Sequence, residues 1–292
     1  MDRREFLIAA AAAPRALRRP QPALAYVTAD LESHVAVVDL DRGAVVRRIP
    51  TRPAPRAIER VGESYVVAHT AIGEVSVLGR HVLDGFEEPR YTAAAPDGRH
   101  AFVTDSGRAD LAVVDVVRGL VVTRLKLRLW PRHLTISPDG KTLWVGLGTA
   151  SEELAVVDVA DPRRPRLTGT VRPGFLAHDV GFAPDGRVWV TAGEARTIAV
   201  YERGAFHLRP AGSAPQHVSF LGGRVFVTSG DDGTLQLLDG RRTGVPVGSY
   251  NVQHVGRRIV TPSLNAGTLC VLDTRGRLLH RVRVASSSHD AA

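Results

Sequence analysis

The sequence predicts an all-β chain, a seven-bladed β-propeller of four-stranded blades. Three observations lead there: one unit recurs seven times, each unit reads as four short strands separated by turns, and no helical period survives. Only 5% of the 292 residues are aromatic. Among the uncharged residues Val, Ala, Leu, Gly and Thr are the commonest, as suits short strands joined by tight turns.

The most regular element of the unit is an aromatic-Val-Thr strand, beginning at Tyr26, Tyr65, Phe102, Trp144, Trp189, Phe226 and Ile259. The offsets are 39, 37, 42, 45, 37 and 33 residues, enough for four strands with Gly-centred turns, which leave no room for a helix in the unit. A second strand follows a polar loop at Val35, Val75, Leu111, Leu154, Ile198, Leu235 and Leu269, often ending in Asp, as at Asp39, Asp115 and Asp273. A third, more polar strand comes after a bend, for example over residues 44–49 and 120–125. The fourth opens at a Pro-rich corner and often ends in a Pro-Asp-Gly turn, as at Pro96-Asp97-Gly98, Pro138-Asp139-Gly140 and Pro184-Asp185-Gly186.

The two ends of the repeat array complement each other. The repeats start at Tyr26 with the second strand of a blade, and the last residues, Ser287 to Ala292, align with the start of an innermost strand at Leu176 to Gly181. The C-terminus is therefore expected to supply the inner strand of the N-terminal blade, which removes a free sheet edge. A ring closed in this way needs no partner to hide its edges, so a monomer is expected. Trp144 and Trp189, at the aromatic position of the repeat, are expected in the core, and Trp130, before Pro131, at a channel mouth.

The aromatic-Val-Thr strand, the Val-Val-Asp strand and the Pro-Asp-Gly turn, in that order, resemble the YVTN-repeat family of seven-bladed propellers, which includes YncE-like periplasmic proteins. The resemblance covers residues 26–292. It implies the fold, while activity varies widely among propellers.

The N-terminus reads as an export signal over residues 1–25. Arg3-Arg4-Glu5-Phe6-Leu7 resembles a twin-arginine (Tat) signal, with Asp2 where Ser or Thr usually stands. A short apolar stretch follows, then Ala23-Leu24-Ala25, the pattern of a cleavage site. The stretch is too short to span a bilayer. The mature protein, residues 26–292, is thus expected outside the cytoplasm.

The formal charge is +8. Residues 1–25 supply part of it, and the rest is scattered as single arginines in turns, so no nucleic-acid footprint is expected. The one cysteine, Cys270, excludes an intrachain disulfide and any Cys-based zinc site. Its apolar neighbours mark it as a buried structural thiol.

Chemistry is expected where inner strands enter the channel, because equivalent positions of a propeller form a ring. The aligned corners are Arg56-Ala57, Arg90-Tyr91, Arg132-His133, His178-Asp179, Gln216-His217, Gln253-His254 and His289-Asp290. They hold five of the chain's 11 histidines. Loops between the aromatic-Val-Thr strand and the Val-Val-Asp strand should reach the same face and carry Asp30, His69, Asp105, Glu194, Asp231 and Asp232.

The candidate ligand-binding set is thus Arg56, Arg90, Arg132, His133, His178, Asp179, His217, His254, His289 and Asp290 from the corners, with His69 and Asp105 from the loops. His178, His217, His254 and His289 are the candidate metal ligands. Such a mixture can coordinate a metal, clamp an anion, or orient one ring by a carboxylate. It can also arise from duplication of one template, each His capping a backbone carbonyl of the adjoining blade.

Two readings stay open. One is a binding protein that takes a small molecule or a protein at its upper face. The other is a metal- or haem-associated or lactonase-like enzyme using the same ring. The resemblance supports the second through propellers that act as lactonases with His, Arg and Glu at the channel. This sequence lacks their extended loops, and it lacks the His-x-His pairs of multinuclear copper sites. No cofactor is required by the sequence, and no nucleophile elbow, phosphate loop or calcium loop is present.

Overall fold

Each blade is stitched by local chemistry that the repeat carries with it. The Asp closing the Val-Val-Asp strand accepts backbone N–H groups of the following turn: Asp39 from Asp41 and Arg42, Asp115 from Val117 and Arg118. The Pro-Asp-Gly turn works the same way, Asp97 accepting from Arg99 and His100. Gly140 of the next such turn has φ +71°, and a Cβ there would meet Pro96 Cγ of the preceding blade at 2.2 Å. Both the conformation and the close approach require glycine.

The computed structural model describes residues 23–148, 151–238 and 240–292. The expected twin-arginine stretch lies outside the described residues. Ala25, the expected cleavage site, falls within the first strand, Leu24–Ala29.

Seven antiparallel sheets form the ring. The second blade is Ala57–Val61, Ser64–His69, Glu74–Val77 and His81–Leu83, from the axis outwards. The third is Pro89–Ala94, His100–Asp105, Asp110–Asp115 and Leu120–Lys126, and the fourth opens at Leu134–Ile136. The fifth, sixth and seventh open at Asp179–Phe182, Val218–Leu221 and Gln253–Val255, and each likewise has four strands.

The first blade takes three strands from the N-terminus, Leu24–Ala29, His34–Asp39 and Ala44–Pro50. Its inner strand is 290–292, as expected: Tyr26 N–H donates to Ala292 O at 2.8 Å, Ala292 N–H to Tyr26 O at 2.9 Å, and Thr28 N–H to Asp290 O at 2.9 Å.

Apolar clusters between neighbouring sheets hold the ring. Val61, Val75 and Leu83 of the second blade pack on Val103 and Val114 of the third, and Phe102 and Leu111 pack on Leu143 and Val157 of the fourth. The series continues through Trp144 with Val190, Trp189 with Val227, and Phe226 with Ile259. It closes with Val27 and Val38 against Val260 and Val271, and with Val35 against Ile58 and Val67. Every neighbouring pair of blades shares a core, so Trp144 and Trp189 are core residues and Cys270 is buried.

The Thr of the aromatic-Val-Thr strand ties one blade to the next. Its hydroxyl donates to the carbonyl of the next blade's corner: Thr28 to Arg56 at 3.1 Å, Thr104 to Arg132 at 2.7 Å and Thr191 to Gln216 at 2.6 Å. Thr28, Thr104 and Thr191 are fully buried. Thr104→Val keeps the shape and strands the Arg132 carbonyl, so urea unfolding should show a loss of about 1–3 kcal/mol. An unchanged midpoint would make the bridge incidental.

Candidate functional site

Strand pairing fixes which corner residues are equivalent. Ala57 pairs with Ala68 and Asp179 with Thr191, while the carbonyls of His133, His217 and Asp290 accept from Gly146, Thr228 and Thr28. Two stacked rings result. The upper ring holds Arg56, Arg90, Arg132, His178, Gln216, Asn251 and His289; the lower holds Ala57, Tyr91, His133, Asp179, His217, Val252 and Asp290.

One corner departs from the sequence alignment. In the seventh blade Gln253 pairs with Val260 and His254 with Ile259, which puts Asn251-Val252 at the corner. Hydrogen bonding at this corner is offset by one residue: Thr261 Oγ1 donates to Asn251 O at 2.6 Å, and the inter-blade bond of Thr228 goes to Tyr250 O. His254 sits farther down the inner strand, exposed, on the channel wall away from the other imidazoles.

The lower ring caps a central cavity of about 440 Å³ that runs along the inner strands to Pro138 and Pro184 in their turns. Tyr91, His133, Asp179, His217 and Asp290 line its upper end, with Glu59 beside them.

His133, His178 and His217 converge there, their nearest ligand atoms all within 4.8 Å of one another. Ring centroids are 4.5 Å apart for His133 and His217, edge to face, and 5.1 Å for His133 and His178. The Tyr91 ring packs on His133 at 3.8 Å. His133 is 2% exposed, and neither of its ring nitrogens has a hydrogen-bond partner among the described residues. Burial, reinforced by neighbouring imidazoles and the Arg132 charge, holds His133 and His178 well below the usual imidazole range, so both rings are neutral at pH 7.

Carboxylates flank the imidazoles. Asp179 Oδ2 lies 3.4 Å from His217 Nδ1 and accepts from Val218 N–H at 3.1 Å. A carboxylate facing Nδ1 favours the tautomer that leaves Nε2 as an acceptor. Asp290, at the equivalent position, accepts from Ile58 N–H at 3.0 Å, and burial pushes its carboxyl up to about 6. Burial and the neighbouring Asp290 push Glu59 up to about 8.

Three further candidates, His289, His69 and Asp105, are committed to structure. His289 Nδ1–H donates to Arg56 O at 3.1 Å, capping the next blade's carbonyl. His69 contacts Pro53 O at 3.0 Å and Ser76 Oγ at 2.8 Å. Asp105 accepts from the N–H groups of Glu87 and Glu88 and shapes that loop. The structure therefore does not bring His69, Asp105 or His254 to the imidazoles, and of the four candidate metal ligands only His178 and His217 lie in the cluster.

At the mouth, Arg90 and Arg132 lie over the Trp130 ring, at 5.3 and 5.6 Å from its centroid. Trp130 Nε1–H donates to Glu88 Oε2 at 3.2 Å, and Glu88 also pairs with Arg90. Glu59 and Asn251 were not among the sequence candidates. Glu59 follows Ala57 by two positions and so shares its strand face, a signal that was available.

No protein-family model matches the chain, and no curated protein does. Solved structures do. A functionally unknown protein from Desulfotomaculum acetoxidans DSM 771 superposes with a TM-score of 0.78 at 12% identity, covering 92% of this chain and 98% of that one. Hydrazine synthase of Kuenenia stuttgartiensis gives 0.72 at 17% identity, over 91% of this chain and 100% of that one. Apo AztD from Citrobacter koseri gives 0.70 at 12% identity, over 92% and 97%. At these identities the likeness speaks to architecture alone, and with the seven sheets it establishes the chain as a seven-bladed β-propeller.

Proposed function

We propose that the protein is an exported ligand-binding propeller whose channel takes one divalent transition-metal ion, zinc first, on His133, His178 and His217. One observation carries the reading. A buried imidazole with both nitrogens unpartnered is costly, and here it faces two more imidazoles whose ligand atoms lie within 4.8 Å. Three nitrogens bound to one zinc stand about 3.4 Å apart, so a small inward adjustment of the rings makes the site. The two rings held neutral by burial offer lone pairs without losing a proton. The edge-to-face packing of His133 and His217 leaves no slot between them for a haem.

Export is part of the proposal and rests on the pattern of residues 1–25. Cleavage after Ala25 would leave Tyr26, the first residue bonded to the C-terminal strand, at the new terminus. N-terminal sequencing of mature protein checks this.

Calorimetric titration of metal-free protein with zinc should give one ion per chain. His133→Phe keeps the ring against Tyr91 and removes both nitrogens, and should weaken binding by about a hundredfold or more while the metal-free variant melts no lower than the parent. Zinc affinity unchanged in that variant would sink the metal centre.

A second, enzymatic reading is favoured by Glu59, a carboxyl pushed up to about 8 and lining the same cavity as His133 and His217. It could serve as a general acid. Turnover of simple lactones by zinc-loaded protein, lost in Glu59→Gln, would favour this reading over binding alone.

A further inference from the structure

We infer that Arg56, Arg90 and Arg132 form a receptor for a small oxyanion at the channel mouth, on the upper ring that they share with His178 of the imidazole cluster. The three occupy one repeat position on consecutive blades, so the ring geometry gathers their guanidiniums on one side of the mouth. Their Nε atoms are buried without a hydrogen-bond partner among the described residues.

The charges there do not balance. Glu88 pairs with Arg90, and among the described residues no carboxylate lies within ion-pair distance of Arg56 or Arg132. Asp179 and Asp290, the nearest acids of the lower ring, are taken up by the Val218 and Ile58 N–H groups. Asp231, at the rim, is held by Gln216 and Tyr250. Burial, and after it the Arg132 and Arg56 charges, works against the Arg90 charge, with Glu88 and, less strongly, Tyr91 opposing them. A bound anion would relieve that repulsion.

The site is also built. Trp130 covers the faces of Arg90 and Arg132, which leaves guanidinium N–H edges for a ligand. Trp130 itself has φ +39°, a left-handed conformation that a bulky residue adopts only where its surroundings hold it. Planar forks of this kind suit carboxylate or phosphate oxygens.

The test uses metal-free protein, so it reads the anion site whether or not zinc binds. Inorganic phosphate and malonate are titrated separately by calorimetry. Saturable one-site binding of either is expected, and the tighter of the two tells a phosphate from a carboxylate ligand. Arg132→Gln and Arg56→Gln should each weaken it by about tenfold or more, and Arg132→Lys should restore part of the loss. Arg209→Gln, on an outer strand, should leave it unchanged. No saturable binding of either anion, or equal losses in Arg209→Gln and the mouth variants, overturns the proposal.

Discussion

A chain ending at Ser288 should fail to hold the native ring. The deleted residues supply the inner strand of the first blade, and with it the bonds of Tyr26 and Thr28 to Ala292 and Asp290. They also supply the Asp290 acceptor for Ile58 N–H and the His289 bond to Arg56 O. Ala291 is buried in the cluster that joins the first and seventh blades. At about 1 kcal/mol for each lost hydrogen bond, the deletion removes about 5 kcal/mol, comparable to the whole net stability of many domains. It also exposes the free edge of Leu24–Ala29, which invites association. Thermal melting and gel filtration of the truncated chain should show a steep loss of melting temperature and aggregation. A melt within a few degrees of the full chain would mean that the ring is held without its closing strand.

That closure was legible because register and pairing repeat. Ser287 to Ala292 could be laid on Leu176 to Gly181, and the structure uses 290–292 and Asp179–Phe182 in the same place. The corner of the seventh blade was misread because Gln253-His254 copies the dipeptide Gln216-His217, whereas a dipeptide carries no register. Pairing does. The turn at Gly256 joins Val255 to Arg258, and counting back across it from Thr261 lands on Val252. Which polar groups would be left unpartnered was out of reach of the sequence. Asp105 and His133 both looked like ligands, yet backbone N–H groups occupy Asp105 while nothing among the described residues occupies the His133 ring. That difference depends on how the loop over residues 86–88 folds back and on how three blades meet at the axis.

The buried carboxyls of the channel should contribute stability that falls as pH rises, opposite in sign to the contribution of the neutral, buried His133 and His178, which is lost as pH falls. Glu59 has its folded value pushed up to about 8, by burial first and then by Asp290, against 4.5 as the ordinary value. Between those two limits the unfolded chain has released the proton and the folded chain still holds it. The unfolded state therefore binds fewer protons, and unfolding free energy decreases with pH through that window. Asp290, pushed up to about 6 from 3.8, adds a slope of the same sign at lower pH. Glu59 is half-buried and faces the cavity, so screening reduces the effect to about 2 kcal/mol by pH 8. Glu59→Gln keeps the shape and cannot ionise. Urea unfolding at a series of pH values should find the variant close to the parent near pH 4 and more stable by about 2 kcal/mol at pH 8. Parallel curves across the window would show that the Glu59 carboxyl ionises freely in the folded channel. The general-acid role offered for it would then go as well, since a carboxylate already ionised at neutral pH has no proton to give.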